Sequence, residues 1–265
     1  MMVPFTKASA CGNDFLIIDG IHADGFQPPA DLFQFSKQIC DRHNGVGADG
    51  VEWLFPAQDA DMRIRLINAD GTEAEISGNG TRCVAAYLVN SGHGSKLALQ
   101  TGAGTKQCEL VSRDGSRFEF EMDMGEPQVG DDFSVQAAFG RAHGTPVSMG
   151  NPHYVVFMKD FPPAWQTEAG EIGGHQDFKL GVNVEFVRVT SHNDIEVRFY
   201  ERGVGETQSS GTGSCASAVA AIAAGRVNSP VNVHAPGGAQ VVRWSGEKVF
   251  LRGPAQLICR GEFFG

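Results

Sequence analysis

No two of the six cysteines, Cys11, Cys40, Cys83, Cys108, Cys215 and Cys259, stand in a C-x-x-C pair. Wide spacing of this kind argues against a zinc site or a dense disulfide framework, and most of the six are expected to be small buried apolar residues. The eight histidines are equally scattered, with no H-E-x-x-H pair, so no metal is expected. No apolar run approaches the length of a membrane span, and Met1-Met2-Val3-Pro4 begins no secretory signal, so a cytoplasmic location is expected. No basic run occurs either. With 31 acidic residues against 21 basic ones the formal charge is −10, which argues against nucleic acid and against an anionic membrane surface as partners. Low-complexity tracts are missing too: the 34 glycines and 12 prolines punctuate periodic apolar stretches and read as turns.

What is there centres on residues 201–225. From Gly211 to Gly225 no residue is charged, so a helix there is apolar on every side and belongs in a core. It begins at Ser210-Gly211-Thr212-Gly213-Ser214, where unpaired backbone N–H groups at the positive helix end suit a carboxylate or phosphate. Taken alone, such a turn is as readily capped by its own Ser and Thr hydroxyls.

The turn is not alone. Ser77-Gly78-Asn79-Gly80-Thr81 has the same form, and the 133 residues from Ser77 to Ser210 are half of the 265-residue chain. At that offset Glu73 meets Glu206, Thr101 meets His234 and Gly104 meets Gly237, while Gly12-Asn13 finds its echo in Gly150-Asn151 after a five-residue slip. Internal duplication accounts for this. Two copies of one unit, each with a Gly-rich helix start, are expected to face each other across a cleft that holds a substrate anion.

Taken in order, Phe15-Leu16-Ile17-Ile18 is a strand directly after Gly12-Asn13-Asp14. Pro28-Pro29 opens a helix with Leu32, Phe35 and Ile39 on one face, closing near Asn44-Gly45. Gly45–Gly50 lacks the lysine and the spacing of a phosphate loop and is read as a plain loop. Met62, Ile64 and Leu66 form a half-buried strand that delivers Asn68-Ala69-Asp70-Gly71, and a helix runs from Gly80 to about Val89. Phe118, Phe120, Met122 and Met124 are one arm of a hairpin behind Asp114-Gly115. In the second half Tyr154–Phe157 follows Gly150–His153, and Ile195, Val197 and Phe199 lead into Glu201-Arg202. Short strands at Val241-Val242, Val249–Leu251 and Leu257-Ile258 are then separated by Gly and Pro. The expected class is α+β, with two pseudo-symmetric domains over residues 1–126 and 127–265, each a curled, mostly antiparallel sheet around a central apolar helix. The C-terminal strand near 257–265 is a candidate to pack onto the first domain.

Gly12-Asn13-Asp14-Phe15, Asp41-Arg42-His43 with Gly47-Ala48-Asp49-Gly50, Asn68-Ala69-Asp70-Gly71, Gly78–Cys83, Gly150-Asn151-Pro152-His153 and Glu201-Arg202-Gly203 with Gly211-Thr212-Gly213 together resemble the diaminopimelate epimerase family over the whole chain. The resemblance implies two pseudo-symmetric domains with the active site between them, no cofactor, and conversion of LL-diaminopimelate to the meso form in lysine and cell-wall precursor synthesis. It implies that Asn13, Asn79 and Asn151 line the reacting centre. Asn68, Asn183, Glu201 and Arg202 would hold the far ammonium and carboxylate, and Gly78, Gly211 and Thr212 would offer donors to the near carboxylate. Without the surrounding motifs, Glu201 and Arg202 would read as a surface pair at a strand end. Gly50 falls where some members carry a polar side chain. The expected partner is a small-molecule amino acid; monomer and homodimer both stay open.

Inverting an α-carbon without pyridoxal phosphate needs one group to take a proton and another to deliver one on the opposite face. In the family these are a thiolate and a thiol; here Ser77 and Ser210 occupy the two positions, with His153 and Glu201 implied to tune them. A hydroxyl ionises far less readily than a thiol. Cys83 and Cys215, further along their helices, read as core rather than as substitutes. An engineered exchange, a natural serine variant with slow or altered chemistry, and a non-catalytic relative each account for the pair. The alternative functions are an isomerase, racemase or dehydratase of another small carboxylate on the same fold, or an amino-acid-binding protein.

Overall fold

In the computed structural model, which describes residues 2–20 and 29–264, the chain opens on a hairpin of β1 (Met2–Ala10) and β2 (Asn13–Asp19). Its two turn residues, Cys11 and Gly12, both have positive φ, 47° and 85°, which matches the twist of the flanking strands. The turn fixes Asn13 as the first residue of β2, opposite Ala10.

Helix α1 (Leu32–Cys40) is capped by Asp31, whose carboxylate accepts from the N–H groups of Phe33 and Gln34 at 3.0 Å. The helix therefore starts at Leu32 and not at the prolines, of which Pro28 lies outside the described residues. It also ends four residues short of the expected Asn44, because the Ile39 carbonyl turns to the loop N–H groups of Val46 and Gly47 while the Asp41 carboxylate collects those of His43 and Asn44.

β3 (Gly50–Phe55) runs parallel to β2, and β4 (Met62–Asn68) antiparallel to β3. β5 (Glu73–Ala74) adds to β4, and α2 (Gly78–Asn90) follows. β6 (Lys96–Thr101) pairs parallel with β4, and β7 (Gly104–Asp114) with β8 (Arg117–Gly125) makes the expected hairpin. Helix α2 starts two residues before the predicted Gly80, since Ser77 is its cap. Cys83, Val84, Ala85, Ala86 and Leu88 are fully buried, and each such Val or Leu contributes about 1.5–3 kcal/mol. A second cluster, Leu16, Ile18, Phe35, Ile39 and Trp53, packs α1 against the sheet, with Trp53 Nε1 donating to Ser36 Oγ at 2.9 Å.

The second half repeats the order. After β9 (Gln128–Val129), β10 (Phe133–Ala137) and β11 (Gly140–Ser148) come β12 (Pro152–Phe157), α3 (Trp165–Gly173), β13 (Asn183–Val189), β14 (Asp194–Glu201), β15 (Gly205–Thr207), α4 (Gly211–Ala223), β16 (Val231–Ala235) and β17 (Gly238–Trp244). β12–β13 is parallel as β2–β3 is, β13–β14 antiparallel as β3–β4, and β14–β16 parallel as β4–β6. Helix α4 is made of Gly, Ala, Ser, Cys and Thr with few larger residues. It is buried from Gly213 to Ala221, the small side chains allowing Val155, Val197, Phe199, Val233 and Val242 to close around it.

The C-terminal end differs from expectation. Val249–Leu251 and Leu257-Ile258 are not two strands but parts of one, β18 (Val249–Phe264). Gly253 and Pro254 lie inside it because Arg82 occupies the space there: a Cβ on Gly253 would stand 2.9 Å from Arg82 Cζ, and Arg82 Nε donates to the Pro254 carbonyl at 3.2 Å. The chain divides into two compact units, Met1–Met122 with Gly253–Gly265, and Asp123–Arg252. The later residues of β18 pair with β1, from Met2↔Phe264 to Ser9↔Gln256, inside the first unit. No helix among the described residues is long and apolar enough to cross a membrane.

Candidate active site

In the first unit Ser77 has extended backbone angles, φ −123° and ψ 121°, and its Oγ accepts from the Gly80 N–H at 3.1 Å. It is the helix cap, and it is half-buried. Asn79, buried in the first turn, donates from Nδ2 to Asn13 Oδ1 at 2.8 Å, and its own Oδ1 accepts from the fully buried Arg82 guanidinium. Asn13 in turn donates to Asp49 Oδ2 at 3.0 Å, so the hairpin turn, the Gly45–Gly50 loop and the start of α2 are tied together. Asp49 and Asp14 share Arg42, and Lys7 adds a 2.9 Å contact to Asp14. Although burial opposes it, bonding to Arg42 and Lys7 holds the Asp14 carboxyl below the usual range. Asn68 stands at the end of β4, opposite Gly50, and its Nδ2 donates to Thr72 Oγ1. It joins the others only through the backbone, where Ala69 N–H meets the Asp49 carbonyl.

In the second unit Ser210 caps α4 in the same way, with φ −138°, ψ 126° and an Oγ that accepts from Gly213 N–H at 3.1 Å. Its hydroxyl also bonds the Glu201 carboxylate at the end of β14. Burial raises the Glu201 carboxyl above its ordinary value, and the Ser210 hydrogen bond and the nearby His153 pull it back part of the way. An oxygen held between an N–H and a carboxylate with a raised affinity for protons is placed to pass a proton on.

Around it, His153 Nδ1 lies 2.7 Å from Glu185 Oε1 and Nε2 lies 3.0 Å from Asn151 Oδ1. Both ring nitrogens thus face oxygens. Asn151 Nδ2 reaches Thr212 Oγ1 at 3.3 Å. Asn183 bonds the Pro152 carbonyl and accepts from the Arg202 backbone N–H at 2.9 Å. The Arg202 side chain is exposed and spends one N–H on the Leu180 carbonyl at 3.0 Å, which leaves guanidinium donors for a ligand. It is not a surface pair with Glu201, whose partner is Ser210.

The structure therefore gathers Asn13, Ser77, Gly78 and Asn79 at one helix end, and Asn151, His153, Asn183, Glu201, Arg202, Ser210, Gly211 and Thr212 at the other. Sequence reasoning overlooked Glu52 and Glu185. Both are buried carboxylates, each beneath the third residue of a Gly-rich helix start: an ideal Cβ would stand 1.7 Å from Glu52 Oε1 at Gly80 and 2.9 Å from Glu185 Oε1 at Gly213. The signal was present, since the 133-residue offset that pairs Ser77 with Ser210 also pairs Glu52 with Glu185 and Gly80 with Gly213. As expected, Cys83 and Cys215 are fully buried; Cys259 alone among the six is exposed.

Comparison with known proteins agrees with this geometry. The sequence profile of diaminopimelate epimerase matches residues 5–130 and 145–258. The diaminopimelate epimerases of Pelotomaculum thermopropionicum and Desulforudis audaxviator are 38% identical over 276 residues and 39% identical over 277, each comparison covering 98% of both chains. Among solved structures, a phenazine biosynthesis protein of the PhzF family from Bacillus anthracis superposes with a TM-score of 0.76 at 15% identity, covering 100% of both chains. A hydroxyproline epimerase from Agrobacterium vitis gives 0.69 at 18%, over 98% of this chain and 92% of that one. At such identities the structures speak for the fold, while the full-length sequence matches decide the family: the chain belongs to the diaminopimelate epimerase family.

Proposed function

We propose that this chain is a cofactor-independent epimerase that converts LL-diaminopimelate to the meso form, with Ser77 and Ser210 at the two acid/base positions. The observation that carries the reading is the repeated serine cap: two extended serines, each accepting at 3.1 Å from the N–H three residues on, each opening a buried helix. Inversion needs two groups of opposite role, one taking a proton and one giving it. The backbone N–H groups of Gly78, Gly211 and Thr212 at the positive helix ends would stabilise the charge that collects on the near carboxylate as the α-proton leaves. Asn13, Asn79 and Asn151 position the reacting centre, and His153 with Glu201 set the protonation of its neighbours. Asn68 and Asn183 serve the far end, with Glu201 for the ammonium and Arg202 for the second carboxylate.

On this reading the protein works in lysine and peptidoglycan precursor synthesis in the cytoplasm, as a monomer or homodimer, with no role in nucleic-acid binding. Calorimetric binding of LL-diaminopimelate, combined with its α-proton exchange in deuterated buffer followed by NMR, tests the proposal. Binding with exchange and appearance of the meso isomer is expected. Turnover of a different small carboxylate, with no affinity for diaminopimelate, would replace it.

A further inference from the structure

We infer that Glu52 is the proton-holding partner of Ser77, doing in the first unit what Glu201 does for Ser210 in the second, so that each serine works through a carboxyl. The inference rests on the epimerase reading and adds to it a residue that the repeat alone does not explain. Glu52 lies on β3, between Ile17 of β2 and Leu66 of β4 in the sheet register, and is 1% exposed. Its Oε1 is wholly buried and has no hydrogen-bond partner. The equivalent Glu185 has His153; at the corresponding place in β2, two residues after the asparagine, stands Phe15.

A carboxyl buried without a hydrogen-bond partner is costly even when it is neutral, and more so when it is charged. The carboxyl is aimed into the first turn of α2. An ideal Cβ on Gly80 would stand 1.7 Å from Glu52 Oε1 and 3.3 Å from Ser77 Cβ, so the carboxyl and the serine crowd the same point, and only a glycine lets them do so. The Ser77 oxygen accepts from the Gly80 N–H, which leaves its hydroxyl proton to give to the acid once that acid ionises.

The groups facing Glu52 do not quench it. From β2 and β4 its register neighbours are apolar. From α2 the titratable group is Cys83, a thiol that burial keeps protonated, and Arg82 is turned to Asn79 and the Pro254 carbonyl. Burial alone pushes the Glu52 carboxyl up to about 8, so at neutral pH it carries a proton. As Ser77 delivers its O–H proton to the carbanion, the Glu52 proton moves to the Ser77 oxygen and Glu52 becomes the carboxylate. The proton taken from the α-carbon by Ser210 goes on to Glu201. One carboxyl loses a proton, the other gains one, and the substrate is inverted; the reverse reaction returns both.

The test uses the full chain and three readouts. In wild type the α-proton exchange of diaminopimelate should fall on an alkaline limb near pH 8, and Glu52→Gln should abolish that limb and slow exchange by about 10²-fold or more. A folded Glu52→Gln protein with unchanged rate and limb overturns the inference. Side-chain ¹³C NMR of glutamate-labelled protein, assigned by that variant or by Glu52→Asp, reads the same carboxyl without substrate. Glu52 should titrate near 8, and Ser77→Ala should move its midpoint upward, because the ionised form then has no serine hydroxyl to turn to. A Glu52 that is ionised throughout the neutral range, or a midpoint indifferent to Ser77, also overturns it. If wild type neither binds nor exchanges diaminopimelate while Glu52 still responds to Ser77, the substrate assignment fails and the pairing stands.

Discussion

His153 Nδ1 stands 2.7 Å from Glu185 Oε1, with each side chain about 1% exposed. The pair is shut away from water beneath α4, where a polar group left without its partner costs about 1–3 kcal/mol. His153→Phe reproduces what the first unit has at Phe15 and strands Glu185. The stranded carboxyl, already raised by burial, will rise further. A folded-state value above the unfolded one means that the folded protein holds the extra proton, so the loss is small near pH 5 and grows as pH rises above the ordinary glutamate range. Urea unfolding of wild type and variant at pH 5 and pH 8 measures the difference; equal losses at both would mean that Glu185 does not need its histidine.

Glu52 makes the same argument in the wild-type protein. With an ordinary value of 4.5 and a folded value of about 8, the folded state binds more protons than the unfolded one across that window. Stability contributed by the neutral acid is full below about 4.5 and declines as pH rises toward 8. Relative to Glu52→Gln, wild type should lose roughly 4 kcal/mol between pH 5 and pH 8. Parallel urea midpoints for the two proteins over that range would show that Glu52 is not held neutral.

Two glycines in one turn should behave oppositely. A methyl group on Gly80 would fall 1.7 Å from Glu52 Oε1, and overpacking of this kind costs about 1–3 kcal/mol, whereas nothing lies within 4 Å of a Cβ on Gly78. Gly80→Ala should lower the melting temperature by several degrees and Gly78→Ala should not. Calorimetric melts of both variants check the contrast, and equal stability would mean that Glu52 readily gives way.

Much of this was legible in the sequence because it is written as spacing. The duplicated S-G-x-G turn, the uncharged Gly211–Gly225 stretch and the alternation of Met62, Ile64 and Leu66 each translate directly into a cap, a buried helix and a strand. What escaped was set by contacts distant in sequence. Gly253-Pro254 looks like a strand break until Arg82, 172 residues before Pro254, is seen to occupy the space beside it. Glu52 looks like an ordinary polar residue in a strand until β2, β4 and α2 close over it. The end of α1 depends on the Asp41 carboxylate, a local signal that the later Asn44-Gly45 pair obscured.

Arg202 should matter only for a ligand with a second carboxylate. Its exposed guanidinium has donors left after the Leu180 contact, so Arg202→Ala should weaken diaminopimelate binding by about 1.5–3 kcal/mol, the range for a hydrogen bond to a charged group. A monoamino acid of similar length should lose little. Calorimetry on both ligands decides; equal losses would place Arg202 away from the far end.

The serines themselves permit the sharpest test. Each accepts from an N–H three residues away at the start of its helix, so a thiol at Ser77 or Ser210 would meet the same positive helix end that favours a thiolate. Ser77→Cys together with Ser210→Cys should therefore raise diaminopimelate epimerisation by orders of magnitude over the protein as it stands. Either single change should restore far less, because inversion needs a competent group in each role and such pairs act as a unit. Proton exchange without inversion is the expected behaviour of a single variant, since one thiolate can take a proton and return it to the same face. NMR of the α-position in deuterated buffer separates exchange from inversion in one experiment. If the double variant binds diaminopimelate but neither exchanges nor inverts it, the two serines are not the acid/base positions. If the wild-type protein already matches the double variant, the serines act through their carboxyl partners without needing thiols.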